Sequence, residues 1–229
     1  MTANNFREVI YDYSAFGNQE HGRYLATIYR TIFEDWQNAN QSRSAELLSV
    51  LIAALTQRHI MIYTPDEEIQ TVINQLGWSG NQVKPDSNDY ILVADTNLVN
   101  KSNNSIVRSL TYDVELKPDQ SLLSTLRVRY DYFHSIARID PAINEDYYGP
   151  QDYKTLTQIF LPNDVNIVEE DNLSQASTIE QEDYTLVISR IDVDYDTSKQ
   201  VQITYEIPAI EDRVGNLYRY RLLIQKQPG

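Results

Sequence analysis

A group of polar residues follows an apolar run near the middle of the chain. Asp95, Asn97, Lys101, Asn103 and Asn104 bring a carboxylate, an ammonium and three amides into ten residues. Such a loop could hydrogen-bond a sugar, or hold a lysine whose pKa the neighbouring aspartate adjusts. Aspartate and asparagine also bond their own backbone and make turns, which is the commoner use of polar loops. We keep Asp95, Asn97, Lys101 and Asn103 as candidate binding residues beside this structural alternative.

The chain is rich in tyrosine, with 17 in all. Tyr147 and Tyr148 stand beside Gly149 and Pro150 in an acidic stretch, where an exposed aromatic pair could stack on a sugar or bind a protein partner. Most other tyrosines fall in phase with a strand-like alternation and are more simply sheet residues. Tyr147 and Tyr148 therefore join the candidate binding residues.

The sequence carries no recognisable catalytic, metal or cofactor signature. Asp192, Asp194 and Asp196 could point three carboxylates to one face of a strand and hold calcium. The helix-flanked calcium loop needs glycine and glutamate where this chain has Thr197 and Ile203, so a solvated hairpin end is favoured. The three histidines lack metal-ligand spacing, cysteine is absent, and no phosphate loop or nucleophile elbow occurs. We predict no catalytic residue, metal site or cofactor.

Charge limits the partners of this 229-residue chain. It has 19 Lys plus Arg against 33 Asp plus Glu, a net charge of −14. A field of that sign repels phosphate backbones, so nucleic acid is not an expected partner. No uncharged apolar stretch approaches the ~20 residues that cross a bilayer, so we expect no membrane insertion by these residues. The first seven residues lack the order of a secretion signal, so any export signal would lie outside this chain.

Residues 1–88 are predicted to be a helical segment with one short strand at residues 59–63. Apolar residues recur at helical spacing in two stretches, predicting helices of about 18 and 14 residues. These residues are Leu25, Ile28, Ile32 and Trp36, then Leu47, Leu51, Ala54 and Leu55.

A third helix has the clearest start signal in the chain. Thr64 is predicted to be its N-cap, with Pro65 at the first helical position and Glu67 completing a capping box. Gly77 would end it in the left-handed conformation. Its buried stripe is predicted to be Ile69, Val72, Ile73 and Leu76.

Side chains alternate between apolar and polar from residue 89 onward, which is typical of half-buried antiparallel strands. Two of the alternating runs flank Lys117-Pro118-Asp119-Gln120 and predict a long hairpin over residues 106–133. Residues 136–152 and 163–182 are expected to be surface loops. The predicted strands are residues 90–95, 110–116, 125–132, 153–161, 184–191, 201–207 and 217–224. The expected fold is α+β, with helices followed by an antiparallel β-sandwich of about seven strands, immunoglobulin-like in size, over residues 89–229.

Five segments resemble a bacterial domain-of-unknown-function family, number 4012 in its series. They are RHIMIY (58–63), LGWSG (76–80), DYILVADTN (89–97), KSN (101–103) and YRLLIQKQPG (220–229). Their order covers roughly residues 10–229, and the chain departs from the family pattern at Leu98-Val99-Asn100, where a glycine is usual. The resemblance implies the C-terminal part of an extracytoplasmic, membrane-anchored envelope protein whose anchor is absent from this chain. The family has no established activity, so the resemblance implies a location and a fold but no reaction.

Three functions follow as hypotheses. The favoured one is a non-catalytic extracytoplasmic module, structural or adhesive, whose partner is a cell-surface glycan or a protein. The second is an enzyme acting on envelope glycopolymers through Asp95 and Lys101, which would have to converge in a concave pocket. The third is a small-ligand sensor, which would need an enclosed apolar cavity.

Overall fold

The fold is α+β, with helices followed by sheets that are mostly antiparallel. The computed structural model describes residues 5–6, 9–10, 21–84, 89–100, 102–133, 150–209 and 212–228. Contacts within the chain define two compact units. One comprises residues 1–82 and 226–229, and the other comprises residues 83–225.

Three helices occupy the described part of the first unit: α1 (His21–Gln37), α2 (Gln41–Thr56) and α3 (Glu67–Gln75). Asn40 caps α2 because its side-chain oxygen accepts a hydrogen bond from the backbone N–H of Arg43, 3.0 Å away. None of the helices in the described ranges combines the length and the hydrophobicity that crossing a bilayer requires.

The start of α3 corrects the predicted capping box. Its N-cap is Asp66, whose carboxylate accepts from the N–H of Ile69 at 3.0 Å, and the hydroxyl of Thr64 instead accepts from the N–H of Asp66. Asp66 is a better N-cap than Thr64 because its negative carboxylate also interacts favourably with the positive end of the helix dipole. Gly77 ends the helix with a positive φ of 72°, as predicted. Of the predicted stripe only Ile73 is buried, while its other three members, Ile69, Val72 and Leu76, are exposed.

The predicted strand at residues 59–63 is wrong. These residues follow α2 as a bend and irregular backbone. Arg58 before them has a positive φ of 60°, and the N–H of His59 closes back onto the carbonyl of Ala54 at 2.8 Å. The apolar run is therefore part of the exit from a helix.

The second unit consists of strands. They are β1 (Asp89–Asn97), β2 (Val107–Leu116), β3 (Leu122–Tyr132), β4 (Tyr153–Pro162), β5 (Asn166–Asp171), β6 (Ser174–Glu180), β7 (Tyr184–Val193), β8 (Thr197–Ile207), β9 (Arg213–Val214), β10 (Leu217–Tyr218) and β11 (Leu222–Gln225). A 3-10 turn, Ser102–Ser105, lies between β1 and β2. The predicted hairpin over residues 106–133 is confirmed as β2 and β3.

Two sheets form a sandwich-like arrangement. Sheet 1 has the order β11-β1-β4-β7-β6, sheet 2 has the order β2-β3-β8-β5, and β9 pairs with β10 as a small hairpin. All of these pairings are antiparallel except that between β1 and β11. Two strands, β5 and β6, occupy residues 163–182, where a loop was expected. The final predicted strand divides into β10 and β11.

The core lies between the two sheets. Strand β3 alternates between buried and partly exposed side chains along its length, as a strand with one interior face must. Each of the five long inner strands β1, β3, β4, β7 and β8 contributes alternate residues. The largest of these buried side chains are Tyr130, Tyr132, Tyr205, Ile91, Leu122, Leu126, Ile159, Leu161, Ile191, Ile203 and Val128.

Candidate functional site

Strand β1 carries two carboxylates on its interior face, of which Asp89 is completely buried and Asp95 is 11% exposed. Asp89, Ile91, Val93 and Asp95 alternate along the strand, so all four side chains point to the same side. Ile91 and Val93 belong to the core between the sheets. Asp89 and Asp95 therefore enter the two ends of that core, about 20 Å apart for six residues of extended chain.

The Asp95 carboxylate accepts hydrogen bonds from both sheets. Thr157 of β4 lies directly opposite Asp95 in sheet 1 and donates its hydroxyl to Oδ1 at 2.6 Å. Arg108 and Tyr130 are opposite each other in sheet 2. The Arg108 guanidinium donates to Oδ2 at 2.5 Å and the Tyr130 hydroxyl to Oδ1 at 3.0 Å. The carboxylate thus joins four strands and is compensated by a cation across the core.

The Asp95 carboxylate changes the acidity of its aromatic neighbours. Burial, followed by the negative charge of Asp95, raises the pKa of Tyr130 well above its ordinary value. The same two causes raise the pKa of Tyr153 to about 12. Both phenols therefore stay protonated at neutral pH, and Tyr130 can serve only as a neutral donor to the carboxylate.

Asn97 organises the loop that follows β1. Its carbonyl oxygen accepts from the backbone N–H groups of Val99 at 3.0 Å and Asn100 at 3.2 Å. Its amide donates to the side-chain oxygen of Asn103, 2.6 Å away. These are the local hydrogen bonds by which asparagine makes turns.

Asn100 was not a predicted site residue, yet it is the buried centre of this loop. Its amide lies 2.9, 3.1 and 3.2 Å from the carbonyl oxygens of Pro150, Gln151 and Asp152. Its own oxygen accepts from the backbone N–H and the hydroxyl of Ser102. The available signal in the sequence was its place in Leu98-Val99-Asn100, the segment where the chain departs from the pattern of the family that it resembles.

The structure brings only some of the predicted site residues together. Asn97 and Asn103 are bonded to each other, whereas Asp95 is held by other partners inside the sandwich. The remaining three candidates, Lys101, Tyr147 and Tyr148, lie outside the described residues.

Asp89 forms a second carboxylate cluster that the sequence analysis missed. Its side chain is completely buried. Tyr112 from sheet 2 and Tyr220 before β11 both donate hydroxyls to Oδ2, the latter at 2.7 Å. Tyr205 reaches Oδ1 at 3.5 Å and bonds the Tyr112 hydroxyl at 2.9 Å, and the Tyr90 N–H donates to Oδ1 at 2.8 Å. The available signal for this cluster in the sequence was a carboxylate at the start of an apolar run.

Burial dominates the acid–base behaviour of this second cluster. It raises the pKa of Asp89, and the hydrogen bonds from Tyr112, Tyr220, Tyr90 and Tyr205 oppose the rise without cancelling it. Burial likewise raises the pKa of Tyr112, Tyr205 and Tyr220, together with the charge of Asp89. The cluster is therefore a set of neutral donors around one carboxyl group whose proton is held more tightly than usual.

The three aspartates at residues 192, 194 and 196 lie at the end of a hairpin, with Asp192 in β7 and the other two in the connection to β8. Asp192 accepts two hydrogen bonds from Arg190, at 2.8 and 3.0 Å, and these hold the pKa of the Asp192 carboxyl below its usual range. The carbonyl of Asp194 accepts from the Thr197 hydroxyl at 2.7 Å, and Asp196 has a positive φ of 62°. Across the described ranges, no three histidine or acidic side chains gather closely enough to hold a metal ion.

Comparison of the chain with protein-family models, with curated proteins and with solved structures gives no match. The resemblance to domain-of-unknown-function family 4012 therefore stays a prediction. Any argument about function therefore depends on the geometry of the two carboxylate clusters and of the asparagine loop.

Proposed function

We propose that this chain is a non-catalytic module of a membrane-anchored bacterial envelope protein, lying outside the cytoplasm and serving a structural or adhesive role. The observation that carries the non-catalytic part is the use of the polar groups near the end of β1. The hydrogen bonds of these side chains go to other groups of the same chain, as seen for Asp95, Asn97 and Asn100. A general acid or base must instead reach a proton on its substrate.

Arg108 adds a second argument against an acid–base pair at Asp95. A carboxylate that already bonds a guanidinium at 2.5 Å and two hydroxyls has three of its about four acceptor positions occupied. Opening this arrangement for catalysis would leave a buried charge without its partner, which costs several kcal/mol. Rigidity of the sandwich is the better use of the cluster, and rigidity suits a module that transmits or resists force.

The proposed partner is a cell-surface glycan, and the acidic field favours an uncharged polymer over a phosphate-rich one. Tyr147 and Tyr148 are the proposed contacts, since aromatic faces stack on sugar rings. This assignment rests on their residue types and on their place beside Gly149 and Pro150 in the sequence.

Location is tested on the complete protein in its native host, by fusing alkaline phosphatase to its C-terminus. That enzyme is active only outside the cytoplasm, so activity in intact cells is the expected result. An inactive fusion that is nevertheless produced at full length would overturn the envelope assignment.

Binding is tested with arrayed neutral bacterial polysaccharides and the purified chain. We expect retention on at least one polymer, a loss of about tenfold or more in the double variant Tyr147→Ala/Tyr148→Ala, and no change in polymer size. The matched control removes two exposed tyrosines of the helical unit, Tyr29 and Tyr63, and should bind normally. New reducing ends on the polymer would instead show that the chain is an enzyme. Equal loss of binding in both variants would show that Tyr147 and Tyr148 are not the specific contacts.

A further inference from the structure

Strand β2 is a long edge strand. Its ten residues pair with β3 in one unbroken register, from Val107 opposite Asp131 to Leu116 opposite Leu122. Within the described part of the chain, β2 has no neighbour on its other side. An edge of this kind presents a row of backbone N–H and C=O groups that another strand can bond.

The opposite edge of the same sheet is protected. Strand β5 has only six residues, and its register with β8 shifts between Ile167 and Glu169. Glu169, Glu170 and Asp171 add exposed charges there. Short length, bulges and charge are the means by which natural sheets prevent edge pairing.

The edges of sheet 1 are protected in similar ways. The register of β6 with β7 shifts between Ser174 and Ser177, and β11 has only four residues. Strand β2 has neither a register shift nor a lysine or proline in its sequence, VRSLTYDVEL. It carries three charged residues, Arg108, Asp113 and Glu115, but it is the one edge among these four that is neither short nor shifted in register.

Apolar side chains accompany the open edge. Leu110, Val114 and Leu116 alternate on the face of β2 that also carries Arg108 and Tyr112, and they are 42%, 38% and 59% exposed. Side chains on that face should be buried in a sandwich, so their exposure marks the place where the sandwich is open.

We propose that β2 pairs antiparallel with β2 of a second copy of the chain, about a two-fold axis near the middle of the strand. The two four-stranded sheets then continue as one sheet of eight strands. A two-fold axis perpendicular to the sheet requires that residues on the same face meet, because it preserves the face while reversing the strand. Any register centred on a residue meets this condition, and we choose the one centred on Tyr112 because it places two apolar residues, Leu110 and Val114, opposite each other.

That register is self-complementary. It sets Leu110 opposite Val114 of the second copy, with Leu116 of that copy on the diagonal. On the other face Ser109 meets Glu115 and Thr111 meets Asp113, so no two like charges stand directly opposite each other. The pairing bonds backbone groups of the edge and covers part of the exposed surface of Leu110 and Val114 in each copy.

The dimer is expected to be weak and to depend on salt. An interface of one strand pair lies at the small end of specific contacts, for which we expect a Kd on the order of 10 µM. Each copy carries a net charge of −14, so the copies repel each other at low ionic strength. Salt shortens the Debye length to about 8 Å at physiological strength, and dimerisation should therefore strengthen as salt rises.

Sedimentation velocity over a concentration series tests the pairing. We expect a monomer–dimer equilibrium that tightens between about 0.05 M and 0.5 M NaCl. Leu110→Lys should weaken it at least tenfold, because it replaces the apolar side chain opposite Val114 of the second copy with a charged one. Val168→Lys on β5 is the matched control, since Val168 is also exposed at a sheet edge, and it should dimerise normally. A chain that stays monomeric throughout, or equal effects of both substitutions, would overturn the proposal.

Cysteine cross-linking tests the register, because the chain has no cysteine of its own. Thr111 stands opposite Asp113 of the second copy, so a mixture of Thr111→Cys and Asp113→Cys chains should form a disulfide-linked dimer on mild oxidation, whereas Val168→Cys at the β5 edge should not. All three positions are exposed, so the folded chain should accept each change. Equal cross-linking at the two edges, or cross-linking at 168 alone, would show that β2 is not the contact.

Discussion

The two ends of the interior face of β1 satisfy a buried carboxylate in different ways. Asp95 bonds a guanidinium and two hydroxyls, while the contacts of Asp89 include three tyrosine hydroxyls and a backbone N–H. A paired cation offsets the cost of burying charge, whereas neutral hydroxyls offset it only in part. This explains why burial still raises the pKa of Asp89. One strand therefore ends in an ion pair on one side and in a proton-holding cluster on the other.

The largest effect expected from this difference is at Arg108. Arg108→Ala removes the cation and leaves the Asp95 carboxylate buried, so the free energy of unfolding should fall by about 3 kcal/mol. Chemical denaturation measures it. Arg190→Ala breaks an exposed ion pair with Asp192 in the same sandwich and should cost under about 0.5 kcal/mol.

A double-mutant cycle separates the ion pair from the rest of the site. Adding Asp95→Asn to Arg108→Ala removes the buried charge and should restore part of the lost stability. If Arg108→Ala costs no more than Arg190→Ala, then the two ends of β1 are equivalent and the comparison fails.

Asn100 tests whether the Asp95 end also depends on its loop. Asn100→Ala leaves three carbonyl groups and the Ser102 N–H without the side chain that joins them, and should cost about 2 kcal/mol. Thermal and denaturant unfolding report the loss. Asn104→Ala is the control, because Asn104 is exposed in the same turn and should change stability by under about 0.5 kcal/mol. Similar losses in both variants would mean that the loop is not organised by Asn100.

Matched removal of one phenol hydroxyl from each end compares the two sites directly. Tyr112→Phe takes a donor from Asp89 and a partner from Tyr205, and should cost about 1.5 kcal/mol. Tyr130→Phe should cost about half as much, because Arg108 and Thr157 continue to bond Asp95. Denaturant midpoints at neutral pH measure both. A larger loss of stability in Tyr130→Phe than in Tyr112→Phe would show that Asp95, and not Asp89, depends more on tyrosine hydroxyls.

The smallest effect is the part of the pH dependence of stability that comes from Asp89. Its pKa is raised in the folded chain, so between the unfolded value near 4 and the folded value the native state binds more protons. Stability from Asp89 is thus complete in acid and is lost as pH rises through the folded pKa. The difference in unfolding free energy between wild type and Asp89→Asn should shrink from about pH 3.5 to pH 7. A difference that grows over this range would mean that the charged form is the one stabilised.

The strands with one buried face were predictable from the sequence. The alternation in β3 and β4 follows directly from one face that is buried in the core and one face that is partly exposed to solvent. Strands β5 and β6 were missed because nearly all of their side chains are exposed, so burial imposes no alternation on them. Their backbone is fixed by pairing with β8 and β7, which a local pattern does not register.

The candidate site was predictable only where its contacts are local. The turn made by Asn97 is local in sequence and was foreseen as the structural alternative. The tyrosine hydroxyls that contact Asp89 lie 23, 116 and 131 residues further along the chain. Only the stacking of one sheet on the other brings these residues together, and no spacing within the sequence encodes it.

The parallel pairing of β1 with β11 brings the first and last strands of the sandwich side by side. The N–H of Val83, where that unit begins, bonds the side chain of Gln225, where it ends, at 2.9 Å. A short linker could therefore join these ends, and new ends could be opened in the β5–β6 connection to give a circular permutant. On the ribosome the same arrangement has a cost in time, because β1 must wait for the final strand before sheet 1 is complete.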